Sequence, residues 1–394
     1  MVQIVDKTTC CGCGICSMVC PQNCIGMEMD NEGFLYPEID KAECLKCGLC
    51  DNACPIKNFN VFHHDYEQKA ELIQHTNRLI LGQSTSGGAF TAIAEYVIGV
   101  GGVVYGAGFV EHFEVNHIRI DKIGDLEKLR NSKYVQSDIR PVLPQVKKDL
   151  RDNILVCFSG TPCQIEALLK YCKGNRDNLV LIDVVCRAVP SPGVWKKYIS
   201  NEESKNGRLS SIRFRDKKYG YQYSTMVLKS ESGHEERGGI ESQPWLRLFF
   251  SGIVIRPSCT DCKFRSRYRR SDITIWDCFN SYSFGQFFDD RLGVSRVLIH
   301  TPKGEQIIKY ISPNVLIKDI SPEEALKGVK EFVYSPNEHI HKDDFFKDID
   351  LLNFSDLIDK YCPLTINIRV KTLVRKTLNK LGLDLFVKRI LKKG

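Results

Sequence analysis

The chain has 394 residues, of which 43% are hydrophobic and 26% charged, and it contains 18 cysteines. This length corresponds to about two or three domains and excludes fibrous and largely disordered classes. A chain of this size does not need disulfides for stability. The sequence does not open with the basic and apolar regions of a secretory leader. We therefore expect a cytoplasmic protein whose cysteines are metal ligands or redox thiols.

The positive charge is concentrated at the carboxyl terminus. The formal net charge is +7, and residues 369–394 contain nine Lys or Arg against one acidic residue, so the rest of the chain is close to neutral. A folded domain that binds nucleic acid is therefore not indicated, because such a domain would carry the basic residues on its own surface.

Two identical cysteine runs fill the amino-terminal segment. Each has the form C-x2-C-x2-C-x3-C-P, which is typical of bacterial two-cluster ferredoxins, where the fourth cysteine of each run ligates the other cluster. One [4Fe-4S] cluster is assigned Cys10, Cys13, Cys16 and Cys54, and the other Cys44, Cys47, Cys50 and Cys20. The alternatives are a disulfide knot or a zinc site, but zinc would leave the third cysteine of each run without a role.

The remainder of residues 1–57 fits this ferredoxin domain. Residues 25–29 and 34–39 flank Asp-Asn-Glu-Gly, which predicts a β-hairpin between the two runs. Cys11 and Cys24 fall outside the ligand pattern and are interpreted as packing or spare thiols. Residues 58–77 have no strong apolar period and predict a linker. His63 and His64 within it are either ligands or, more commonly for adjacent histidines, solvated side chains.

Small residues open the central part of the chain. Residues 83–88 read Gln-Ser-Thr-Ser-Gly-Gly and precede an apolar helical pattern. Serine and threonine there are N-cap signals, and two glycines allow an anionic group to approach free backbone N–H groups. The stretch predicts either a nucleotide phosphate site or plain helix entry. Residues 132–137, Ser-Lys-Tyr-Val-Gln-Ser, are either a further ligand contact or a surface turn.

Two buried strands end in cysteines. The strand 154–158 leads through Ser-Gly-Thr-Pro-Cys163-Gln into a helix, and the strand 179–185 ends at Cys186. A turn of this kind lies at the carboxyl edge of a sheet, where α/β proteins bind ligands. Cys259 and Cys262 form a further C-x2-C pair. These four cysteines either ligate a third cluster or, for Cys163 and Cys186, are inert buried thiols.

These motifs together resemble a known family. They comprise residues 86–88, 132–137, 160–164 (Gly-Thr-Pro-Cys-Gln), 185–192, 256–262 (Arg-Pro-Ser-Cys-x-x-Cys), 271–275, 293–295 and 301–304. From about residue 1 to 310 the chain resembles the beta subunit family of coenzyme F420 hydrogenase and dehydrogenase, in the form that carries an amino-terminal two-cluster ferredoxin.

The resemblance implies an iron–sulfur flavoprotein oxidoreductase with a mixed α/β flavin-binding domain. Non-covalent FAD and a third [4Fe-4S] cluster are implied, with Cys163, Cys186, Cys259 and Cys262 as the ligands of that cluster. The implied flavin contacts are Ser86, Gly87, Gly88, Lys133, Tyr134 and Gln136, together with Gly160 and Thr161 of the turn. The clusters and FAD would relay electrons to or from a small hydride donor or acceptor, or a redox partner protein.

The chain departs from the family at two glycines. Arg187-Ala188 stands where His-Gly is common, and Trp276-Asp277 stands where Gly-Asp is common. Glycine often marks close approach of a ligand, so the substrate is either a deazaflavin such as coenzyme F420 or another hydride acceptor. The alternative function is a non-catalytic electron-transfer subunit of a larger redox complex. Several bacterial relatives are encoded beside genes for surface polysaccharides, so a sugar-linked substrate is a further alternative.

The expected domains are 1–57, a linker at 58–77, the catalytic domain at 78–310, an extension at 311–362 and a tail at 363–394. The basic loop around Lys263, Arg265, Arg267, Arg269 and Arg270 predicts either phosphate or acidic-partner binding or a solvated surface. In the tail, apolar residues recur at helical spacing, namely Val370, Leu373, Val374, Leu378, Leu381 and Leu385. This basic amphipathic helix either contacts the inner face of a membrane, docks on a partner or packs on its own domain.

Overall fold

The computed structural model describes residues 6–63, 65–174, 176–285, 288, 291–383 and 387. Within them lie the strands β1 (Ile25–Met29), β2 (Leu35–Ile39), β3 (Lys69–His75), β4 (Val103–Phe109), β5 (Val115–Ile120), β6 (Val156–Gly160), β7 (Leu179–Val184), β8 (Leu209–Asp216), β9 (Thr225–Ser230), β10 (Glu235–Gly238), β11 (Ile273–Asp277), β12 (Ser295–Ile299) and β13 (Val315–Ile320). The helices are α1 (Ile15–Met18), α2 (Leu49–Ala53), α3 (Arg78–Gln83), α4 (Ala89–Gly99), α5 (Leu143–Arg151), α6 (Pro162–Tyr171), α7 (Pro192–Asn206), α8 (Pro244–Ser251), α9 (Pro302–Ile311), α10 (Pro322–Leu326), α11 (Lys342–Asp348), α12 (Phe354–Tyr361) and α13 (Ile366–Lys380).

The amino-terminal domain contains the predicted hairpin. β1 and β2 pair antiparallel along their full length. At the turn, the carboxylate of Asp30 accepts hydrogen bonds from the backbone N–H groups of Glu32 and Phe34. Gly33 adopts a φ of 77°, which glycine tolerates without steric cost. The hairpin therefore forms where the Asp-Asn-Glu-Gly signal predicts it.

The central domain is built on an eight-stranded mixed sheet in the order β13-β3-β12-β11-β7-β6-β4-β5. β4, β6, β7 and β11 run parallel to their neighbours within this set. Their sequences are nearly continuous apolar runs, as is usual for parallel strands buried on both faces. Helices α4 and α9 pack on one face, and α5 and α6 on the other. The parallel strands therefore present their carboxyl ends at one shared edge.

A second core lies beside the large sheet. β8, β9 and β10 form an antiparallel three-stranded sheet, which packs with α7, α8, α11 and α12. Trp195 and Trp245 lie at its centre, with ring centroids 4.7 Å apart in an edge-to-face arrangement. Phe345 and Leu357 are fully buried in the same cluster. The carboxyl-terminal helices α11 and α12 are therefore part of this core.

The structure differs from the predicted division of the chain in two places. Residues 58–77 are not only a linker, because β3 is an inner strand of the large sheet, between β13 and β12. Its apolar pattern is weak because Gln74 and His75 are buried and hydrogen-bonded, Gln74 to the carbonyl of Gly293 and His75 to Glu95. Residues 311–362 are likewise not a separate extension, since β13 is the edge strand of the same sheet.

The helix α13 (Ile366–Lys380) lies near the start of the predicted tail. α13 exposes Ile366, Val370, Leu373 and Val374, with between 49% and 79% of each residue accessible. Its Arg375 pairs with Glu241 at 3.0 Å. Leu385 lies outside the described residues. In the part of the chain that the structure describes, no helix is both long and apolar enough to cross a lipid bilayer.

Candidate functional site

Several cysteines of the two runs lie close to one another in the amino-terminal domain. Cys16 interacts electrostatically with Cys10 and Cys54, and burial raises its pKa to about 12. A cavity of about 50 Å³ is lined by these three cysteines and Cys13, the set assigned to the first cluster, and also by Cys11 and by Cys50 of the second run. In the set assigned to the second cluster, Cys20 and Cys44 both interact with Cys24, and the Sγ atoms of Cys20 and Cys24 are 3.4 Å apart. Cys54 of the second run thus lies near Cys10 and Cys16 of the first, and Cys20 and Cys44 share the neighbour Cys24. Ligation of two clusters by the two assigned sets stays a prediction.

The two cysteine runs share one backbone feature, a glycine in the left-handed conformation between the second and third cysteines. Gly14 and Gly48 occupy equivalent positions in them and adopt φ values of 69° and 74°, and each begins a short helix. This left-handed conformation suits glycine, which lacks a Cβ. It allows the chain to turn tightly between the second and third cysteines of each run. Four thiols can then face one compact cluster.

The four cysteines of the central domain also lie together. Cys163 is in the first turn of α6, Cys186 follows β7, and Cys259 and Cys262 lie in the loop before β11. Burial raises the pKa of Cys186 well above its usual value, and the next three contributions come from Cys259, Cys163 and Cys262. Thiols that disfavour each other's ionisation need a bound cation to become thiolates. The donor set therefore fits an iron–sulfur cluster.

Within the described residues, no three His, Cys, Asp or Glu side chains converge closely enough to bind a single metal ion. This holds for the dicluster cysteines as well as for the central four. A [4Fe-4S] cluster does not require such convergence, because each cysteine ligates a different iron at a corner of the cube.

Cys11 connects the first cluster site to the central cysteines. Its thiol forms hydrogen bonds with Cys13 and Cys163. The bond with Cys13 and burial raise the pKa of Cys11 well above its usual value, and the bond with Cys163 opposes this rise. Ile56 and Phe264 pack around it in a small apolar cluster. The interpretation of Cys11 as a packing thiol fits this position. The contact also places the two cysteine groups directly against each other.

A cleft of about 900 Å³ opens at the carboxyl edge of the parallel strands. Its walls are the ends of β6, β7 and β11, the start of α4 and the segment 129–135. Cys186 contributes to this lining, so the group of central cysteines reaches the cleft through this residue. The volume lies within the range of about 300–1,000 Å³ usual for ligand pockets. The position is the one where open α/β sheets bind ligands.

Most of the predicted flavin contacts line this cleft, namely Ser86, Gly88, Lys133, Tyr134, Gly160 and Thr161. Four of these residues lie on two segments of the chain, 85–88 and 132–134. A hydrogen bond of 2.7 Å from the backbone N–H of Ser132 to the hydroxyl of Thr85 joins the two segments. Gly87 and Gln136 are not part of the lining. Gly87 packs against the backbone of β3 and β12, and Gln136 donates to the carbonyl of Cys11 at 3.0 Å.

Several buried polar atoms of the cleft residues have no hydrogen-bond partner among the described residues. Five are N–H donors, namely Arg130 Nε, Arg187 Nε, Arg215 Nη2, Trp276 Nε1 and Arg296 Nε. Buried donors are rarely left without a partner. A set composed almost entirely of donors, four of them cationic, fits an anionic ligand rich in acceptor atoms. FAD, with its pyrophosphate and ring carbonyls, is such a ligand.

Arg215 is a central side chain of this cleft, and the sequence motifs did not identify it. It is 5% exposed and donates to Asp277 at 2.9 Å and to the hydroxyl of Tyr134 at 3.1 Å. Its guanidinium lies 5.4 Å from the ring centroid of Phe279. The only sequence signal is an arginine between Phe214 and Asp216, near the end of β8.

Two ionisable groups of the cleft have lowered pKa values. Burial lowers the pKa of His117 to about 4, and its Nε2 lies 2.9 Å from the carbonyl of Ser159. Nε2 is therefore the protonated nitrogen, and Nδ1 presents a lone pair. Burial and the positive charge of Arg213 lower the pKa of Lys133 to about 7. Its ammonium donates to the carbonyls of Lys128 and Arg130, both at 2.9 Å.

The basic loop is mostly engaged within the protein. Arg269 pairs with the buried Asp183 at 3.2 Å, Arg267 with Glu323 at 2.9 Å, and Arg270 with Glu166 at 3.5 Å. Arg265 donates to the carbonyl of Glu331 at 2.6 Å. These bonds favour a structural role for four of the five cations over binding of an external phosphate.

Gly87 offers a test of the packing beneath the cleft. A Cβ at this position would lie 2.2 Å from the carbonyl oxygen of Ile73 and 2.4 Å from the N of Ser295, both backbone atoms. We expect Gly87→Ala to destabilise the protein by about 3 kcal/mol or more. Thermal unfolding measures this. Gly99→Ala, where a Cβ meets nothing within 4 Å, should lie within about 1 kcal/mol of the wild type; equal effects would contradict the packing.

Comparison with known proteins agrees with this architecture. The family model for the C terminus of the coenzyme F420 hydrogenase/dehydrogenase beta subunit matches residues 154–324, and that for the 4Fe-4S dicluster domain matches residues 9–58. Residues 154–324 are thus similar to the carboxyl-terminal part of this beta subunit family, and residues 9–58 to a dicluster domain. This combination indicates electron transfer of the iron–sulfur oxidoreductase type.

Among solved structures, one similar chain comes from the F420-reducing [NiFe] hydrogenase complex of Methanosarcina barkeri, studied by xenon derivatization. It is 17% identical, with a TM-score of 0.44, and the match covers 78% of this chain and 97% of that one. No curated protein matches the chain.

Proposed function

We propose that the protein is an iron–sulfur flavoprotein oxidoreductase with three [4Fe-4S] clusters and FAD. The observation that carries the proposal is the position of the central cysteines. Cys163 contacts Cys11 of the first dicluster site, and Cys186 lines the cleft. A cluster held by Cys163, Cys186, Cys259 and Cys262 would thus lie between the dicluster domain and the ligand cleft. When bound, the clusters exchange single electrons and FAD exchanges a hydride equivalent with a substrate.

The cleft residues are suited to hold and orient a flavin. The start of α4 at Gly88, with φ 81°, presents backbone N–H groups to an anion. Arg130 and Arg215 add cationic donors, and Tyr134 and Phe279 add aromatic surface. His117 contributes an uncharged acceptor, because its pKa is about 4. Binding, orientation and exclusion of water are the tasks these side chains can perform.

The lining of the cleft differs in this chain from the residues that are common in the family. Trp276 lines the cleft at a position where the family commonly has glycine, and Arg187 and Ala188 replace His-Gly. An indole ring fills space that glycine would leave open. We infer a hydride donor or acceptor that differs in shape from coenzyme F420. The two free N–H donors of Arg187 and Trp276 favour a substrate with acceptor oxygens.

Electron exchange with a protein donor tests this function. Reduced bacterial ferredoxin is mixed anaerobically with the protein loaded with clusters and FAD, and flavin bleaching is followed. A protein donor is too large to enter the cleft, so the flavin should be reduced only when the clusters are present. The control is the same protein stripped of iron by a chelator and reloaded with FAD. Equal rates with and without iron would overturn the proposal.

We also propose that α13 contacts anionic membrane surfaces. Its exposed apolar residues, Ile366, Val370, Leu373 and Val374, occupy one side of the helix. Arg369, Lys371 and Lys380 of the same helix carry positive charge. This combination of an apolar face with basic flanks is typical of helices that lie on anionic lipid. The outer end of the tail adds further basic residues to the sequence.

Vesicle sedimentation tests the membrane proposal. The wild-type protein should pellet with vesicles containing phosphatidylglycerol and not with pure phosphatidylcholine. The double substitution Val370→Glu/Leu373→Glu should abolish pelleting, because it places two charges on the apolar face. Leu351→Glu is the matched control, since Leu351 is 78% exposed outside α13. If the double variant pellets as the wild type does, the helix is not the contact.

A further inference from the structure

Arg256 is the residue from which a further role can be inferred. It is 1% exposed, and its guanidinium holds the loop of the first cysteine run. Nε donates to the carbonyl of Cys10 at 2.7 Å, Nη2 to the carbonyl of Leu35 at 3.0 Å, and Nη1 to Oε1 of Gln136 at 3.0 Å. One cation thus connects the dicluster domain to two segments of the central domain.

The charge of Arg256 has no carboxylate partner among the described residues. Its bonds go to carbonyl and amide oxygens, and its guanidinium lies 4.3 Å from the ring centroid of Tyr36. The nearest acidic residues of the hairpin are already paired, Asp30 with Lys7 at 3.1 Å and Glu32 with Lys342 at 2.9 Å. A buried cation without a counter-charge is costly. The arrangement therefore requires negative charge from another source.

That source lies next to the guanidinium. Nη2 is 3.9 Å from Sγ of Cys10, a ligand assigned to the first cluster. Arg256 also interacts electrostatically with Cys163 and Cys259 of the central group. Gly12 leaves room for this approach, because a Cβ there would lie 2.3 Å from Nη1. The cation is thus enclosed between the two cysteine groups.

We propose that Arg256 is the cation that compensates the negative charge at the first cluster site and thereby raises the reduction potential of the cluster at Cys10. This inference rests on the electron transfer through the clusters that the proposed function describes. One-electron reduction of a [4Fe-4S]2+ cluster with four thiolates changes its net charge from −2 to −3, and no bond forms or breaks. A buried positive charge at hydrogen-bond range to a ligand sulfur favours the reduced form. Arg256 is a positioning residue, not a catalytic one.

Anaerobic redox titration followed by electron paramagnetic resonance tests this role. In Arg256→Gln, the reduced-to-oxidised ratio of one cluster at its wild-type midpoint should fall at least about ten-fold, which is a shift of about 59 mV for a one-electron couple. The midpoint of the second dicluster site should not move. Arg256→Lys keeps the charge and should restore most of the shift. Iron content verifies that each variant is loaded.

Arg140 provides the matched control. Its side chain lies against Gly14 in the same cysteine run, where an added Cβ would be 2.4 Å from Cδ of Arg140. Unlike Arg256, it is neutralised by Asp138, with contacts of 3.0 and 2.7 Å. Arg140→Gln should leave both midpoints unchanged. Equal shifts in Arg140→Gln and Arg256→Gln, or no shift in Arg256→Gln, would overturn the proposal. The measured midpoints belong to the two clusters of the dicluster domain. The test therefore remains decisive if the protein binds no third cluster and no flavin.

Discussion

Cys186→Ala protein is expected to contain about eight irons per chain instead of about twelve, because a [4Fe-4S] cluster needs four thiolates. Cys186 follows β7 and interacts with the other three central cysteines. Since it also lines the cleft, its loss should reduce flavin reduction by a protein donor to the level of the iron-free protein. Iron analysis and anaerobic flavin bleaching measure the two effects. FAD binding itself should persist, because the donors of the cleft remain.

Cys172→Ala is the control for this substitution. Cys172 is also buried, at 5% exposure, but it lies at the other end of α6 from Cys163. Truncation of a small buried side chain has a similar packing cost at both positions. The Cys172 variant should keep about twelve irons and normal flavin reduction. Retention of about twelve irons in Cys186→Ala would show that the central cysteines do not hold a cluster.

Arg215→Gln is expected to weaken FAD binding by about 10-fold to 100-fold, the effect of losing a charged hydrogen bond. Arg215 carries an unpartnered buried donor, Nη2, in the wall of the cleft. Its removal also leaves Asp277 without the cation that now lies 2.9 Å away. Breaking a buried pair in this way costs about 3–5 kcal/mol of stability. Equilibrium dialysis of FAD and thermal unfolding report the two losses separately.

A double variant separates binding from stability. Arg215→Gln/Asp277→Asn removes both charges, so most of the lost stability should return. FAD affinity should remain low, because the cationic donor is still absent. Arg208→Gln is a control immediately before the same strand, since Arg208 pairs with Glu231 at 3.6 Å outside the cleft lining. If the double variant recovers both stability and affinity, Arg215 has only a structural role.

The dicluster domain was predictable because its determinants are local. Cluster ligation fixes the spacing of cysteines along the chain, and the hairpin signal needs only the four residues of its turn. The same reasoning placed Cys163 and Cys186 at strand ends, since short apolar runs followed by small residues indicate a buried strand and its turn. In the structure Cys186 interacts electrostatically with Cys163, Cys259 and Cys262, and their ligation of one cluster stays a prediction.

Features that depend on tertiary partners were missed. β3 did not appear as a strand because Gln68 and Gln74 are buried, and only the fold supplies their hydrogen-bond partners, which include the carbonyls of Arg267 and Gly293. The roles of Arg215 and Arg256 arise from contacts across 62 and 246 positions of the chain. Gln136 was expected at the flavin, but its amide faces Cys11 and Arg256 at the domain contact.

Iron and flavin content tests the central claim most directly. The claim is that the cysteines at 163, 186, 259 and 262 hold a third cluster next to a flavin cleft. After anaerobic reconstitution of the full chain, the account predicts about twelve irons per polypeptide and one FAD released by acid precipitation. About eight irons and a colourless supernatant would contradict it, and would leave a dicluster domain attached to a domain without these cofactors.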